Sequence, residues 1–309
     1  MPKLVIVTGS DSNMFYLAKG LILSLRRVLP LHDAELAFFD LGCTPRELAW
    51  LEARTDKLLR LKDDFNIANM QGFQPYRLGQ ACRALLPKYL PGYSSYMWMD
   101  ADVWVQDPTV MKQFTDPAEK NLTAIVPECD VAYAFLREPG AALQFHRYKF
   151  HQWTASYGED DARKYALLPI FNNGVFAMGA QSPIWSLWER NMALSLQRGL
   201  TALFDQLSLQ KSLLEAGGLH ALPSRANWMS HYTQPYRRVE DGVWVEPRSS
   251  GQPIGIVHLI AAVRRETYLR RGMLYDDGDY LSPEEVPENL REAFLAGRRR
   301  PVIGEGPGT

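Results

Sequence analysis

Short apolar runs alternate with segments of helical period along the first hundred residues of the chain. The apolar positions between residues 14 and 28 recur every three or four residues and stop before Pro30, which is typical of a helix with one buried face. This alternation indicates an α/β fold with a mostly parallel sheet covered by helices. It predicts strands over residues 4–8, 35–40 and 58–61, and helices over 14–28, 45–53 and 77–86.

The second half of the chain has a less regular pattern. Its apolar runs and helical periods predict strands over 96–99, 103–105, 125–126, 175–178 and 254–259, and helices over 184–197 and 203–215. The sequence shows no internal repeat and no low-complexity linker, and it turns polar near residue 276. We therefore predict a single domain over residues 1–275, followed by a polar tail over residues 276–309.

Composition narrows the class of protein. The 309 residues are 46% hydrophobic and 22% charged, which excludes a disordered chain. A net charge of -1 provides no general attraction to nucleic acid, so no nucleic-acid partner is expected. The three cysteines lie far apart in the sequence, a distribution that argues against a disulfide framework or a thiolate zinc site and fits a reducing compartment.

The hydropathy of the chain also bears on its location. The first apolar run is too short for a signal peptide, and no run approaches the roughly twenty apolar residues that span a bilayer. We therefore expect a cytoplasmic protein without a transmembrane segment. The basic run at residues 298–300 leaves contact with an anionic membrane surface open, although a solvated tail is the simpler interpretation.

Two carboxylates, Asp100 and Asp102, directly follow the apolar run at residues 96–99. One residue separates them, so on an extended backbone they point to the same side with Cα atoms about 6 to 7 Å apart. Ligands of open α/β sheets bind beyond the carboxyl ends of the strands. The pair therefore favours a divalent ion, Mg²⁺ or Mn²⁺, completed by phosphate oxygens, while a solvated acidic turn is the alternative.

Further polar residues occur beside other predicted strands and helices. His258 lies in an apolar run, where a structural histidine is the alternative to a metal ligand; an imidazole beside two carboxylates would favour Mn²⁺. Asn172 and its neighbour precede a glycine in a predicted turn, which would let amides approach a hydroxylated ligand closely. Asp205 and Gln206 open a predicted helix, where an acidic residue also complements the helix dipole.

Taken in order, these motifs resemble glycosyltransferase family 8, which includes the bacterial lipooligosaccharide galactosyltransferases and glycogenin. The resemblance extends over residues 4–264 and rests on six elements in the family's order. They are residues 7–11, Arg83, residues 99–103, residues 171–175, Asp205 with Gln206, and the stretch His258, Ala261 and Arg264.

The resemblance implies a GT-A-like fold, with a nucleotide-binding half over residues 1–106 and a smaller, irregular sugar and acceptor half over residues 107–275. It implies a hexosyltransferase that retains the anomeric configuration, takes the hexose from a nucleotide sugar, expected to be a UDP-sugar, and passes it to a glycan or another hydroxyl acceptor. The implied cofactor is Mn²⁺, with Mg²⁺ as the alternative.

The resemblance also assigns roles to individual residues. Asp100, Asp102 and His258 would hold the metal. The catalytic candidates that line the sugar pocket are Asp205, Gln206 and Asn172. The nucleotide-sugar contacts are expected from Thr8, Gly9, Asp11, Tyr16, Arg83, Ala101 and Arg264. Within this set, Asp11 would contact the uracil with the Tyr16 ring as a stacking surface, and Arg83 would reach either the donor sugar or the aspartate pair.

The chain departs from the family at two positions, with Ala261 where the family has glycine and Arg264 where it has lysine. Arginine presents a planar fork instead of the point charge of lysine, and Ala261 adds a methyl group where the backbone would approach phosphate. Both changes therefore affect leaving-group binding more than metal binding. They leave open a non-catalytic nucleotide-sugar-binding protein. A haloacid dehalogenase-type phosphatase is a weaker alternative, because its acidic pair follows the first strand of the chain. Residues 135–164 are interpreted as a variable loop over the acceptor, with a solvated helical face as the alternative.

Overall fold

The computed structural model describes residues 3–31, 33–238, 240–247, 251–260 and 282–298. It contains the strands β1 (Leu4–Ser10), β2 (Ala34–Asp40), β3 (Lys57–Arg60), β4 (Ser95–Met99), β5 (Val103–Val105), β6 (Thr123–Pro127), β7 (Phe171–Gly179), β8 (Leu219–Ala221), β9 (Trp228–Met229), β10 (Tyr236–Arg237), β11 (Trp244–Val245) and β12 (Ile256–His258). Its helices are α1 (Phe15–Val28), α2 (Pro45–Glu52), α3 (Tyr76–Cys82), α4 (Leu86–Tyr89), α5 (Val110–Ala118), α6 (Pro139–Tyr157), α7 (Glu159–Tyr165), α8 (Ile184–Leu196), α9 (Phe204–Ala216) and α10 (Arg291–Arg298).

Seven strands form the central sheet in the order β3-β2-β1-β4-β7-β6-β8. The pairs β3-β2, β2-β1, β1-β4 and β6-β8 are parallel, whereas β7 runs antiparallel to both β4 and β6. The predicted mostly parallel sheet is confirmed. The antiparallel β7 is the departure from a purely parallel sheet, and it brings a second chain segment beside the carboxyl end of β4.

The inner strands of the sheet are buried on both faces. Alternate residues of β1 belong to different apolar clusters: Leu4 and Ile6 pack with α1, whereas Val5 and Val7 pack in the cluster that includes α8 and α9. Strands covered on both faces read as continuous apolar runs, which is why this strand was visible in the sequence. The predicted α/β class, with helices flanking the sheet, is confirmed.

A smaller sheet of three strands, in the order β5-β12-β9, lies beside the end of β4. β12 runs antiparallel to β5 and parallel to β9, so His258 lies opposite both Val103 and Met229. The strand predicted over residues 254–259 is therefore present, but it is shorter. Its pairing with β5 links a late segment of the chain to the residues that follow β4.

Three predicted segments outside residues 171–175 differ from the structure. The helix predicted over residues 77–86 is divided by a 3-10 turn at Arg83–Leu85, and Pro87 lies in the first turn of α4, where its missing N–H is tolerated. The loop predicted over residues 135–164 is wrong, since α6 and α7 occupy most of it and the helical alternative holds. Residues 282–298, assigned to a polar tail, place Val286, Leu290 and Phe294 in the main apolar cluster.

Within the described parts of the chain, no helix combines the length and the apolar character that crossing a bilayer requires.

Candidate metal centre

Asp100, Asp102 and His258 converge at the carboxyl end of β4. Each offers one potential ligand atom, and these atoms all lie within 4.8 Å of one another. Asp100 directly follows β4 and Asp102 directly precedes β5, while β12 places His258 opposite the first residue of β5. The amide of Leu259 donates to the Asp102 carbonyl oxygen at 3.0 Å, which fixes this register. The three residues expected to hold a metal are therefore brought together by the fold.

The chemistry of this cluster fits a divalent cation. The Nε2 atom of His258 lies 3.4 Å from an Asp102 carboxylate oxygen, and the imidazole is buried. Burial raises the pKa of Asp100; Arg83 opposes this shift, whereas the neighbouring Asp102 charge adds to it. Two carboxylates and one imidazole form a ligand set suited to Mn²⁺, and a cation between the two carboxylates would relieve their repulsion.

Gly174, on β7, packs directly against the cluster. Its carbonyl oxygen accepts a hydrogen bond from the Asp100 amide at 2.7 Å. A Cβ atom at this position would lie 2.6 Å from Asp100 Oδ2 and 2.6 Å from His258 Cε1. A glycine is therefore required for β7 to approach two of the three candidate ligands this closely.

Replacing Gly174 with alanine is expected to displace both ligands, because the added methyl group overlaps them. We expect weaker Mn²⁺ binding together with a loss of about 1–3 kcal/mol in the free energy of unfolding, as for an overpacked core. Calorimetric Mn²⁺ titration and urea denaturation measure the two effects. The control is Gly140→Ala in the first turn of α6, where the methyl group meets no atom within 4 Å. Unchanged Mn²⁺ affinity in Gly174→Ala would contradict this account of the site.

Arg83 connects the cluster to α9. Its guanidinium forms an ion pair with Asp100 and a second one, at 2.9 Å, with Asp205. It lies over the ring of Trp98 at 5.0 Å, and the indole N–H of Trp98 donates to the same Asp100 oxygen at 2.7 Å. Of the two positions expected for Arg83, the structure shows the one on the aspartate pair.

Asp205 is buried and engaged in this network. Besides Arg83, its Oδ2 atom accepts a hydrogen bond from the Asn173 side-chain amide at 2.8 Å, and its main-chain carbonyl accepts one from Trp188 at 3.0 Å. In this structure Asp205 therefore holds Arg83 and Asn173 in place. Its predicted catalytic role is not tested by these contacts.

Asn172 and Asn173 do not form the predicted turn; they belong to β7. The pairing of β7 with β6 shifts register here, so that Ile125 lies opposite Phe176 while the next residue, Val126, lies opposite Asn172. This bulge sends the two amides to different partners, since Asn173 reaches α9 and Asn172 reaches Glu128 at 2.9 Å. A bulge carries the same glycine signal as a turn, which explains the wrong prediction.

Glu128 is a site residue that the sequence analysis missed. Besides Asn172, its carboxylate accepts hydrogen bonds from Gln206 Nε2 at 2.8 Å and from the Tyr232 hydroxyl at 2.5 Å. The residue is buried and directly follows β6. An acidic residue at the end of an apolar strand was the signal that could have identified it.

Asn227 is a second missed residue, and it lies behind His258. The Nδ1 atom of His258 is 3.0 Å from Asn227 Oδ1, and Asn227 Nδ2 donates to Asn172 Oδ1 at 3.0 Å. Both residues are buried. A carbonyl-type partner on one ring nitrogen orients a histidine so that the other nitrogen can bind a metal.

The predicted nucleotide contacts near the N-terminus have local structural roles. Gly9 allows β1 to approach β2 closely, since a Cβ there would lie 2.7 Å from the carbonyl oxygen of Phe39. Asp11 accepts hydrogen bonds from the Met14 amide and the Asn13 side chain, both at 3.2 Å. Tyr16 is 1% exposed within the core, which corrects its expected role as a stacking surface for a base.

The other predicted contacts lie at different points of the structure. Thr8 is fully buried in β1, and Ala101 is buried between the two aspartates. Ala261 and Arg264, expected at the leaving phosphates, lie outside the described residues.

Comparison with solved structures identifies the fold. An active-site mutant of LgtC aligns with a TM-score of 0.54 at 16% identity, over 94% of this chain and 99% of that one. The galactosyltransferase LgtC in complex with donor and acceptor sugar analogs aligns with a TM-score of 0.53, at the same identity and coverage. No protein-family model matches the chain, and no curated protein is significantly similar to it in sequence. The chain therefore has the GT-A-like fold that the resemblance implied.

Proposed function

We propose that the protein is a metal-dependent, retaining glycosyltransferase that moves a hexose from a UDP-sugar to a glycan or another hydroxyl acceptor. The convergence of Asp100, Asp102 and His258 within 4.8 Å carries this proposal. The cluster lies at the carboxyl end of β4, where α/β sheets bind ligands. A protein with the same fold, LgtC, was solved with donor and acceptor sugar analogs.

The three ligands would hold Mn²⁺, or Mg²⁺, which when bound supplies positive charge to a departing diphosphate. Asp100 and Asp102 provide the negative charge that attracts the cation, and His258 provides a neutral nitrogen. Arg83 supports this arrangement, because its ion pair fixes one Asp100 oxygen and leaves Oδ2 facing Gly174 and the cluster.

Retention of configuration requires either attack on the same face of the sugar or a covalent intermediate. The Oδ2 atom of Asp205 is engaged by Arg83 and Asn173. A carboxylate oxygen used in this way is a poor nucleophile, so the contacts support same-face attack over a covalent intermediate on Asp205. Gln206, one residue further on α9, donates to Glu128 and to the Phe171 carbonyl oxygen, and its place in the sugar pocket stays a prediction.

The proposal predicts that Mn²⁺ and UDP bind together. The melting temperature should rise more with both ligands than the sum of the two separate shifts, because the ion and the diphosphate share one site. Thermal unfolding with Mn²⁺, with UDP and with both measures this coupling. Absence of a shift with any nucleotide would overturn the proposal.

A second measurement separates an enzyme from a binding protein. A glycosyltransferase is expected to release UDP slowly from its donor in water without an acceptor, so UDP-glucose, UDP-galactose and UDP-N-acetylglucosamine are tested in turn. Cooperative binding without release from any donor would support the non-catalytic alternative. Phosphate release from a sugar phosphate would instead support the phosphatase.

A further inference from the structure

A continuous chain of hydrogen bonds connects Glu128 to the metal-ligand candidate His258. It runs from Glu128 to Asn172 at 2.9 Å, from Asn172 to Asn227 at 3.0 Å, and from Asn227 to the His258 ring at 3.0 Å. The four residues are all buried. Buried polar groups depend on one another for partners, so the direction of each hydrogen bond constrains the next.

Asn172 determines which group donates and which accepts in each hydrogen bond of this chain. A carboxylate only accepts hydrogen bonds, so Asn172 must present its NH₂ group to Glu128. The other end of the same amide, Oδ1, accepts a hydrogen bond from the Gly174 amide at 3.2 Å. A flipped Asn172 would place an acceptor against Glu128 and a donor against Gly174, and both contacts would be lost.

The orientation of Asn172 in turn fixes the orientation of the Asn227 side-chain amide. Because Asn172 offers its oxygen, Asn227 must donate with Nδ2, which leaves Asn227 Oδ1 as an acceptor facing the imidazole. The Nδ1 atom of His258 must then carry a proton to complete the contact. A neutral imidazole with its proton on Nδ1 has its lone pair on Nε2, the nitrogen that faces Asp102.

In the absence of a cation, Asp102 favours a proton on Nε2 of His258 instead of on Nδ1. One of its carboxylate oxygens lies 3.4 Å from Nε2, where it would attract a proton to that nitrogen. The contact to Asn227 is shorter, at 3.0 Å, and belongs to a chain whose every member is satisfied. The proton position on His258 is thus decided by competition between the two sides of the ring.

We propose that Asn172 and Asn227, anchored by Glu128, form a directed relay that keeps the His258 proton on Nδ1 and presents Nε2 to the metal. Asn172 is then a positioning residue that acts through Asn227. The inference deepens the proposed function and rests on it for the metal, but the proton position is a property of the chain itself.

The Glu128 carboxylate has hydrogen-bond partners outside the relay. Glu128 also accepts from Gln206 and from Tyr232, so its carboxylate keeps partners when the relay is interrupted. Burial and the adjacent Glu128 raise the pKa of Tyr232, which therefore keeps its hydroxyl proton and donates it. A substitution of Asn172 can therefore interrupt the relay while the Glu128 carboxylate keeps its hydrogen bonds from Gln206 and Tyr232.

Nitrogen-15 NMR of the histidine rings in the metal-free protein tests the proposal, because it distinguishes a protonated ring nitrogen from one that carries a lone pair. The wild type is expected to show His258 with its proton on Nδ1. Asn172→Leu should move the proton to Nε2, because Asn227 is then free to turn its NH₂ group toward Nδ1 while Asp102 attracts the proton to the other nitrogen. Asn172→Asp should keep it on Nδ1, since a carboxylate still offers an acceptor to Asn227 and can share a proton with Glu128.

Tyr232→Phe is the matched control, because it removes one hydrogen bond to Glu128 but leaves the relay intact. Its His258 proton should stay on Nδ1. An Nε2 proton in the wild type, or an unchanged proton position in Asn172→Leu, would overturn the proposal. If Asn172→Leu fails to fold, the wild-type spectrum and Asn172→Asp still decide the question.

Metal affinity supplies an independent readout. Residues that orient a histidine ligand typically contribute 10- to 100-fold to metal affinity, so Asn172→Leu should weaken Mn²⁺ binding by about that factor. Asn172→Asp and Tyr232→Phe should weaken it less. A proton position that behaves as expected in a protein that binds no Mn²⁺ would leave the relay standing and refute the metal site of the proposed function.

Discussion

Replacing Arg83 with methionine is expected to lower the free energy of unfolding by about 3–5 kcal/mol, a large effect for a single side chain. The side chains of Arg83 and Asp205 are only 7% and 3% exposed, so the substitution leaves a buried carboxylate without its cation. Breaking one half of a buried ion pair is more destabilising than losing the pair, because the remaining charge stays away from water. Urea denaturation measures the change.

The double variant Arg83→Met with Asp205→Leu tests this cause. It removes both charges of this pair and should recover part of the lost stability, since apolar replacements of buried pairs are often tolerated, while Asp100 still lacks its ion pair with Arg83. A loss below about 1 kcal/mol in the single variant, the value for a surface pair, would show that solvent reaches the pair.

Replacing Asp102 with asparagine is expected to reduce Mn²⁺ affinity by more than about 100-fold, the upper end of the effect of residues that only support a ligand. The change removes one of the two negative charges of the cluster and leaves the side chain nearly the same size. The main-chain bond from Leu259 to residue 102 remains, so the fold should be intact. The coupled thermal shift with Mn²⁺ and UDP, and the release of UDP, should both disappear.

The exposed Asp160 on α7 provides the control for Asp102, because Asp160→Asn changes the net charge of the protein equally. It should retain the full response to Mn²⁺ and UDP. A response in Asp102→Asn as large as in this control would refute the assignment of Asp102 as a metal ligand.

Strands β1 and β4 of the central sheet were predictable because they are buried on both faces and therefore read as continuous apolar runs. β1, β2 and β3 were each located to within about two residues, in the usual range of uncertainty for strand boundaries. The long helix α6 was missed as the first choice because few of its residues are buried and its apolar positions do not form one stripe. A helix without one apolar stripe has no clear helical period in its hydrophobic positions.

The candidate site was predictable where one short motif carried it and unpredictable where distant segments meet. Asp100 and Asp102 follow a strand and were identified from that alone, whereas for His258 the local pattern left a structural histidine as the alternative and the family resemblance assigned the metal role. Glu128 and Asn227 escaped notice because their importance lies in hydrogen bonds to residues far along the chain. Such contacts depend on the register of β7 and β12, which local patterning does not encode.

The position of His258 on β12 has a consequence for synthesis of the protein. All seven strands of the central sheet precede β12 in the chain, so they leave the ribosome first. Both aspartates are therefore synthesised well before the imidazole that completes their cluster. The candidate metal cluster is complete only with this late segment, and prematurely terminated translation products would lack His258.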